Sequence, residues 1–186
     1  MSLQEQTHDY AARLRLEDFV PDQPKSIAFP KQNSPIDANE LIEGVALHLL
    51  ITGSDHRGML HELVTTRDGE IEPIVHAYQV VAEPGSIRAW VYHRRQSDRL
   101  CLTNGTLKWV LYDIRPDSPT YGRLNVLDLG DNLQCRLTIP PYVIHGVKNC
   151  GDQIATFVNF PTDVYLHDRP DKYRLPNGHP GIPYVF

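Results

Sequence analysis

Two histidines and one aspartate are the residues of this 186-residue chain best suited to chemistry. His93 and Asp98 lie close together in a region of short apolar runs, and His145 follows the rigid pair Pro140-Pro141. Imidazole and carboxylate groups can transfer protons near neutral pH, and both are ligands for divalent metals. The sequence therefore predicts His93 and His145 as acid–base residues. A metal ion held by His93, Asp98 and His145 is one alternative interpretation. A structural role, with the two histidines hydrogen-bonded within a polar barrel, is the other.

An arginine and a glutamate upstream form a second candidate group. Arg57 precedes Gly58, and Glu62 follows five positions after the arginine. This spacing could place a guanidinium and a carboxylate at one rim of a pocket, where an arginine can bind phosphate oxygens through two hydrogen bonds. A structural salt bridge at a strand end is the other interpretation.

The elements that must position these residues are many short strands separated by turn residues, the pattern of a β-sandwich or barrel. Side chains alternate along a strand, so we expect Val91 and His93 to share the inward face and Arg88 to lie on the opposite face. We also expect Asn104-Gly105 to form a tight hairpin turn. The predicted strands are Val45–Thr52, Met59–Val64, His76–Val81, Ile87–Val91, Arg99–Leu102, Leu107–Tyr112, Leu124–Leu129, Cys135–Ile139 and Ile154–Asn159.

The two ends of the chain differ from this strand-rich middle. Residues 7–19 are predicted to form a short helix or a docking arm, and Asp37 is placed to cap one helical turn. Pro161 and the prolines across 169–183 are expected to end the sheet. The tail is expected to wrap the protein surface or a partner subunit. We therefore expect a single domain over 1–186, with an N-terminal arm at 1–40, a β-region at 42–166 and a tail at 167–186.

Charge and composition exclude several classes of protein. The net charge is -5 and no long basic run occurs, which argues against a nucleic-acid partner. No apolar run approaches the ~18 residues of a membrane span, and the N-terminus lacks a signal pattern. The three cysteines form no CxxC motif, which is typical of reduced thiols. We therefore expect a cytoplasmic protein that does not bind membranes.

Several short motifs, in a fixed order over about residues 42–166, carry a family resemblance. They are Asp55-x-Arg57-Gly58 with Glu62, Arg88, Asp113-x-Arg115 with Ser118-Pro-Thr-Tyr-Gly122, Ile139-Pro-Pro with His145-Gly146, and Thr162-Asp-x-Tyr165. Together they resemble the dTDP-4-dehydrorhamnose 3,5-epimerase family, whose fold is a cupin jelly roll. The resemblance implies an all-β domain that forms a homodimer and binds a nucleotide-diphosphate sugar through Arg57, Glu62, Arg88 and Tyr165.

Three departures from the family pattern concern the catalytic residues. The resemblance implies a general-base histidine at the position of Val91 and a general-acid tyrosine at the position of Asn159. It also implies a C-terminal aspartate that orients the base, and the Pro-rich tail offers no clear counterpart. A valine cannot accept a proton, and an amide is a poor acid. The family's usual chemistry is therefore not expected to run in the usual way.

Our leading hypothesis is a divergent epimerase or isomerase of carbohydrate biosynthesis that acts on a dTDP-4-keto-6-deoxyhexose type of substrate without a cofactor. The related dTDP-sugar 3,4-ketoisomerases carry R-G-x-H-A-H on the same strand, and His93 matches their second histidine. His93 and His145 would then be the acid–base pair. The alternatives are a metal-dependent cupin that uses His93, Asp98 and His145, and a non-catalytic sugar-nucleotide binder.

Overall fold

The computed structural model describes residues 17, 20–21, 36–66, 73–130 and 133–186. In these residues the protein is almost entirely β-structure, as predicted. Apart from single-turn segments, the elements are one short 3-10 helix, Ala38–Glu40, and twelve strands. The strands are β1 (Ala46–Leu49), β2 (Ile51–Asp55), β3 (Gly58–Glu62), β4 (Tyr78–Ala82), β5 (Ile87–Tyr92), β6 (Asp98–Asn104), β7 (Leu107–Asp113), β8 (Leu124–Leu129), β9 (Cys135–Ile139), β10 (Val143–Asn149), β11 (Ala155–Asn159) and β12 (Tyr173–Arg174).

Two five-stranded antiparallel sheets enclose the core. One has the order β1-β9-β6-β11-β4 and the other β12-β5-β10-β7-β8, while β2 and β3 form a separate hairpin. Apolar side chains of both sheets pack in the space between them, and burying this surface is the main source of stability. Leu100, Trp109, Leu137, Val147 and Phe157 are among the buried residues of this core.

Two strands lie outside the nine apolar runs predicted as strands. β10 carries His145 and lies in the centre of its sheet, between β5 and β7. β12 lies in the Pro-rich tail, where Tyr173 pairs with Tyr92 and Arg174 pairs with Val91. The expectation that the prolines end the sheet was therefore wrong, because the tail returns to add a strand at the edge beside β5.

The connection at Asn104-Gly105 is a turn but not a hairpin. β6 and β7 belong to different sheets, so this turn carries the chain from one layer to the other. Gly105 has a φ of 85°, and an added Cβ would lie 2.9 Å from the backbone of Ala155. Only glycine suits both the backbone conformation and the lack of space.

A register shift between β5 and β10 corrects the predicted facing of Arg88. His145 pairs with Val91, but two residues later Val147 pairs with Arg88, three residues earlier on β5. The extra residue on β5 breaks the alternation of faces. Because Val147 is part of the core between the sheets, Arg88 faces the same side as Val91, contrary to the simple strand pattern.

The N-terminal predictions are tested only in part. Asp37 caps the helical turn as expected, because its Oδ1 accepts a hydrogen bond from the backbone N–H of Asn39 at 2.9 Å. The predicted helix at 7–19 lies outside the described residues, apart from Glu17. In the described part of the chain, no helix has the length and apolar character needed to cross a membrane.

The turn between β7 and β8 is held by a buried carboxylate. Asp113 is fully buried, and it accepts hydrogen bonds from the Arg115 guanidinium at 2.8 Å and from the Ser118 and Thr120 hydroxyls at 2.7 Å each. Burial works to raise the pKa of Asp113, but these hydrogen bonds hold it well below its usual range. In this chain, the Ser-Pro-Thr-Tyr-Gly motif therefore forms the hydrogen-bonded turn that connects β7 to β8.

Candidate active site between the two sheets

Three of the predicted residues meet between the two sheets. Asp98 begins β6 in one sheet, His93 follows the end of β5 in the other, and His145 lies near the start of β10. The Nε2 atoms of His93 and His145 each lie 3.3 Å from the same oxygen, Asp98 Oδ2. All three side chains are buried, so water competes little with their interactions. We call this group the His-Asp-His cluster.

Backbone carbonyl groups hold the other ring nitrogen of each histidine. His93 Nδ1 donates to the carbonyl oxygen of Asp171, and His145 Nδ1 donates to that of Val143 at 3.1 Å. A carbonyl oxygen only accepts, so each Nδ1 carries a proton. Each Nε2 therefore faces Asp98 either as a lone pair or as a second N–H. These two states differ by one proton, which is what an acid–base group needs.

The charge of Asp98 controls the ionisation of the cluster. Burial opposes ionisation of Asp98, yet hydrogen bonds from His145 and His93 hold its pKa well below the usual range. Burial likewise works to lower the pKa of His93, but the hydrogen bond to Asp98 and its negative charge raise that pKa above the ordinary value. The cluster therefore pairs a carboxylate that stays ionised with an imidazole that binds a proton more tightly than usual.

The second oxygen of Asp98 is fixed by two amide groups. Gln96 Nε2 and Asn159 Nδ2 each donate to Asp98 Oδ1 at 2.9 Å. The backbone N–H of Arg99 donates to Asn159 Oδ1 at 3.0 Å, which establishes which end of this amide is the donor. The carboxylate therefore cannot rotate without breaking hydrogen bonds to both neighbouring side chains.

The Pro-rich tail positions His93. Besides the carbonyl bond to His93, the Asp171 carboxylate accepts the backbone N–H groups of Arg94, Arg95 and Gln96 at 2.8–3.2 Å. These bonds fix the turn between His93 and Asp98. The tail thus orients His93 through the backbone oxygen of Asp171 and fixes the adjoining loop through the Asp171 carboxylate.

The donor set of the cluster also fits a divalent metal. The three candidate ligand atoms lie within 4.8 Å of one another. In a tetrahedral zinc site, Zn–N bonds of ~2.0–2.1 Å separate neighbouring ligand atoms by about 3.3 Å, which is the distance from each histidine to Asp98. Metal-bound histidines commonly donate their other N–H to a backbone carbonyl, as His93 and His145 do.

Cationic side chains lie beside the cluster, and two of them, Lys172 and Arg174, were not predicted from the sequence. Tyr173 stacks on Tyr92 with ring centroids 5.0 Å apart, so its neighbours Lys172 and Arg174 point to the opposite face of the sheet, where Val91 lies. Burial and the charges of Arg174 and Arg88 lower the pKa of Lys172. No sequence signal marked Lys172 and Arg174, because their facing depends on a strand that was not expected.

Arg88 lies at the open edge between the sheets. Its guanidinium donates to the backbone oxygen of Val81 on β4 at 3.2 Å, so it links the β4 edge of one sheet to the β5–β12 edge of the other. With Lys172 and Arg174 it forms a cationic group that we call the edge cations. A group of this charge and position can receive a phosphate-bearing ligand.

Two of the other predicted binding residues, Arg57 and Glu62, belong to the separate β2–β3 hairpin. Arg57 is at the tip of the β2–β3 hairpin and pairs with Asp55 at 2.5 Å. Glu62 is at the far end of β3, roughly 15 Å of strand away. Within a single chain, these two side chains therefore lie at opposite ends of the hairpin. Tyr165 follows β11, and its ring packs edge-on against His167 with centroids 5.0 Å apart.

The two positions of lost catalytic residues both lie at the cluster. Val91 is buried and pairs directly with His145 across the strands. Asn159 is buried and bonds to Asp98. The positions at which the resemblance implies an acid and a base thus remain in the pocket, and a hydrogen-bonded cluster made of other residues lies between them.

Comparisons with known proteins agree with the geometry. The family profile of dTDP-4-dehydrorhamnose 3,5-epimerase matches residues 40–183. The spore coat polysaccharide biosynthesis protein SpsL of Bacillus subtilis is 36% identical over 136 residues, which are 73% of this chain and 90% of that protein. The probable low-salt glycan biosynthesis epimerase Agl13 of Haloferax volcanii is 34% identical over 138 residues, covering 73% and 88%.

A solved structure shows the same fold. The dTDP sugar isomerase from Desulfovibrio desulfuricans G20 superposes with a TM-score of 0.73 and 27% identity, covering 77% of this chain and 91% of that one. The jelly-roll architecture expected from the motifs is therefore confirmed. The extent of the profile match and the similarity to both relatives show that the chain belongs to the dTDP-4-dehydrorhamnose 3,5-epimerase family.

Proposed function

We propose that this protein is an epimerase of a nucleotide-linked 4-keto-6-deoxyhexose, and that the His-Asp-His cluster is its acid–base centre. The observation that carries the proposal is the pair of imidazole Nε2 atoms at 3.3 Å from one ionised carboxylate oxygen, inside a family pocket that lacks the usual base. The family profile supports the substrate class, and two relatives named for polysaccharide and glycan biosynthesis support a role in carbohydrate biosynthesis.

The chemistry begins with proton removal next to the sugar ketone. His93, in its neutral state, accepts the proton on Nε2 while the C–H electrons move to the carbonyl oxygen and form an enolate. Asp98 stabilises the resulting imidazolium by its charge. His145 shares the same carboxylate oxygen, so the added proton interacts with both rings. Return of a proton to the same face gives solvent exchange, and return to the other face gives the epimer.

The edge cations supply binding and charge stabilisation. Arg88 and Arg174 are suited to the diphosphate, since guanidinium groups bind phosphate oxygens in a bidentate manner. Lys172 interacts electrostatically with His93 and Asp98. It is therefore close enough to the cluster to stabilise the negative charge on the enolate oxygen. These roles need no residue of the β2–β3 hairpin.

Product analysis tests the proposed function. The protein is incubated with dTDP-4-keto-6-deoxyglucose, and the sugar is analysed by proton NMR for inversion at C3 or C5 and for migration of the ketone. We expect an epimer at one or both carbons with the ketone retained. Migration of the ketone to C3 would instead identify a 3,4-ketoisomerase, and thermal stabilisation by dTDP with no new sugar would identify a binder.

The pH dependence of catalysis follows from the raised pKa of His93. The base works only when neutral, so kcat/KM should rise with pH along a limb whose apparent pKa lies above the ordinary histidine value of about 6.5. Initial rates between pH 5 and 9 measure this limb. A limb below about 6.5, or a flat profile, would contradict the assignment of His93.

A divalent metal at the cluster is the second candidate, favoured by the Nδ1 hydrogen bonds and the ligand spacing. His93, Asp98 and His145 would hold the ion, which would polarise the sugar carbonyl as a Lewis acid. Exhaustive chelation distinguishes the candidates. The acid–base account predicts full activity and no bound metal after loading with Zn²⁺ and gel filtration. About one equivalent of retained metal, together with loss of activity on chelation, supports the metal enzyme.

A further inference from the structure

Tyr78 on β4 reaches the same hydrogen-bond network as the His-Asp-His cluster. We infer that Tyr78 is the proton donor of the reaction, acting from the neighbouring strand in place of a tyrosine at position 159. The inference rests on the proposed function, because it assigns the second proton transfer of that reaction. No motif in the sequence drew attention to Tyr78.

The sheet register places the phenol beside the position of the missing acid. Tyr78 on β4 pairs directly with Asn159 on β11. Directly paired residues on antiparallel strands have Cβ atoms about 5 Å apart and point to the same face. The Tyr78 phenol on β4 therefore points to the same side of the sheet as Asn159 on the adjacent strand β11.

The hydroxyl hydrogen of Tyr78 is not used in its hydrogen bond to Asn159, so it is available for transfer. Asn159 Nδ2 is the donor end of its amide, because Asn159 Oδ1 accepts from the backbone N–H of Arg99. This Nδ2 donates to the Tyr78 hydroxyl oxygen at 2.8 Å and to Asp98 at 2.9 Å. The hydroxyl oxygen is thus used as an acceptor, and its own hydrogen is directed elsewhere.

The environment keeps the phenol protonated and still connected to water. Burial and the negative charge of Asp98 raise the pKa of Tyr78 above that of an ordinary tyrosine. The residue as a whole is 38% exposed, so water can return a proton after each turnover. A neutral phenol at the pocket edge suits a donor better than a base.

Hydrogen bonds connect the base and the proton donor to different oxygens of the Asp98 carboxylate. The histidines contact Asp98 Oδ2, and Tyr78 is linked through Asn159 to Asp98 Oδ1. A sugar carbon held over this carboxylate would have an imidazole on one side and the phenol on the other. Inversion at carbon requires such a separation of base and donor.

The proposed step balances protons and electrons. The C–H bond next to the ketone breaks, its proton forms an N–H bond at His93, and the electron pair becomes the enolate. The enolate carbon then takes the proton of the Tyr78 hydroxyl on its other face, which leaves a tyrosinate. Water returns a proton to Tyr78 and removes one from His93, so the enzyme is regenerated without any further reactant.

Tyr78→Phe tests the inference, with Tyr121→Phe as a matched control. Tyr121 is 63% exposed and lies in the β7–β8 turn. Each variant is incubated with the keto sugar in heavy water, and both inversion and deuterium uptake at C3 and C5 are followed by NMR. We expect Tyr78→Phe to slow inversion by about 100-fold or more while deuterium still enters with retained configuration. Tyr121→Phe should match the wild type.

Three outcomes would overturn the assignment. Inversion at the wild-type rate in Tyr78→Phe would exclude Tyr78 as donor and leave the proposed function standing. Equal loss of inversion and deuterium uptake would assign Tyr78 to substrate binding or enolate stabilisation. Absence of both processes in the wild-type protein would remove the proposed function and the inference with it.

Discussion

Replacement of Asp98 by asparagine is expected to reduce turnover about 1000-fold without unfolding the protein. The asparagine oxygen can still accept from Gln96 and Asn159, as Asp98 Oδ1 does. Its NH₂ group can donate to the Nε2 lone pairs of His93 and His145 once both rings are neutral. The cluster thus keeps its shape, but the base is occupied by an amide hydrogen and no carboxylate stabilises the imidazolium.

Steady-state rates and thermal melting together measure this effect. The control is Asp128→Asn, which removes an exposed carboxylate paired with Lys108 at 2.5 Å. We expect the control to retain activity and to melt close to the wild-type temperature. Asp98→Asn should fold but melt at a lower temperature, because it loses the ionised carboxylate that His145 and His93 stabilise. An Asp98→Asn enzyme within tenfold of wild-type turnover would show that the carboxylate is not part of the acid–base centre.

Removal of Asp113 is expected to give the largest loss of stability. Asp113→Ala leaves the Arg115 guanidinium and the hydroxyls of Ser118 and Thr120 without their buried acceptor. Removing one partner from a buried charged network costs about 3 kcal/mol. For a chain of this size, that corresponds to a fall in melting temperature of roughly 6–12 °C. Asp128→Ala, which removes an exposed ion pair, should change the melting temperature little.

Low pH should reduce the difference in the free energy of unfolding between the wild type and Asp113→Ala. The pKa of Asp113 is lowered in the folded protein, so its contribution to stability is fully present above the unfolded-state pKa of about 3.9. That contribution is lost as the pH falls below this value toward the folded-state pKa. Urea unfolding at pH 7 and pH 3 measures it, and an equal difference at both pH values would contradict an ionised Asp113.

The sequence predicted the fold class and most strands because their apolar runs and turn residues are local signals. It missed β10 because Pro141 and Gly146 weaken the strand pattern. Gly146 is needed there, since an added Cβ would lie 2.7 Å from the Phe186 ring and 2.8 Å from Ala89 Cβ. Gly146 therefore weakens the sequence signal for β10, and the same residue allows the tail and β5 to pack against that strand.

The cluster itself could be predicted, but its surroundings could not. His93, Asp98 and His145 are chemically distinctive residue types, so the sequence alone marks them as candidates. Lys172 and Arg174 become pocket residues only because β12 pairs with β5. Tyr78 becomes a candidate only because β4 pairs with β11 so that it lies opposite Asn159. Such cross-strand relationships are set by register, which local sequence does not specify.

Deuterium uptake from heavy water tests the central claim most directly, because it detects proton removal whether or not inversion follows. Wild-type protein and Asp98→Asn are each incubated with dTDP-4-keto-6-deoxyglucose, and the sugar is analysed by mass spectrometry and NMR. The account predicts uptake at C3 or C5 with the wild-type protein and at least 100-fold slower uptake with Asp98→Asn. Equal uptake by the two proteins, or none above the uncatalysed rate with the wild type, would contradict it.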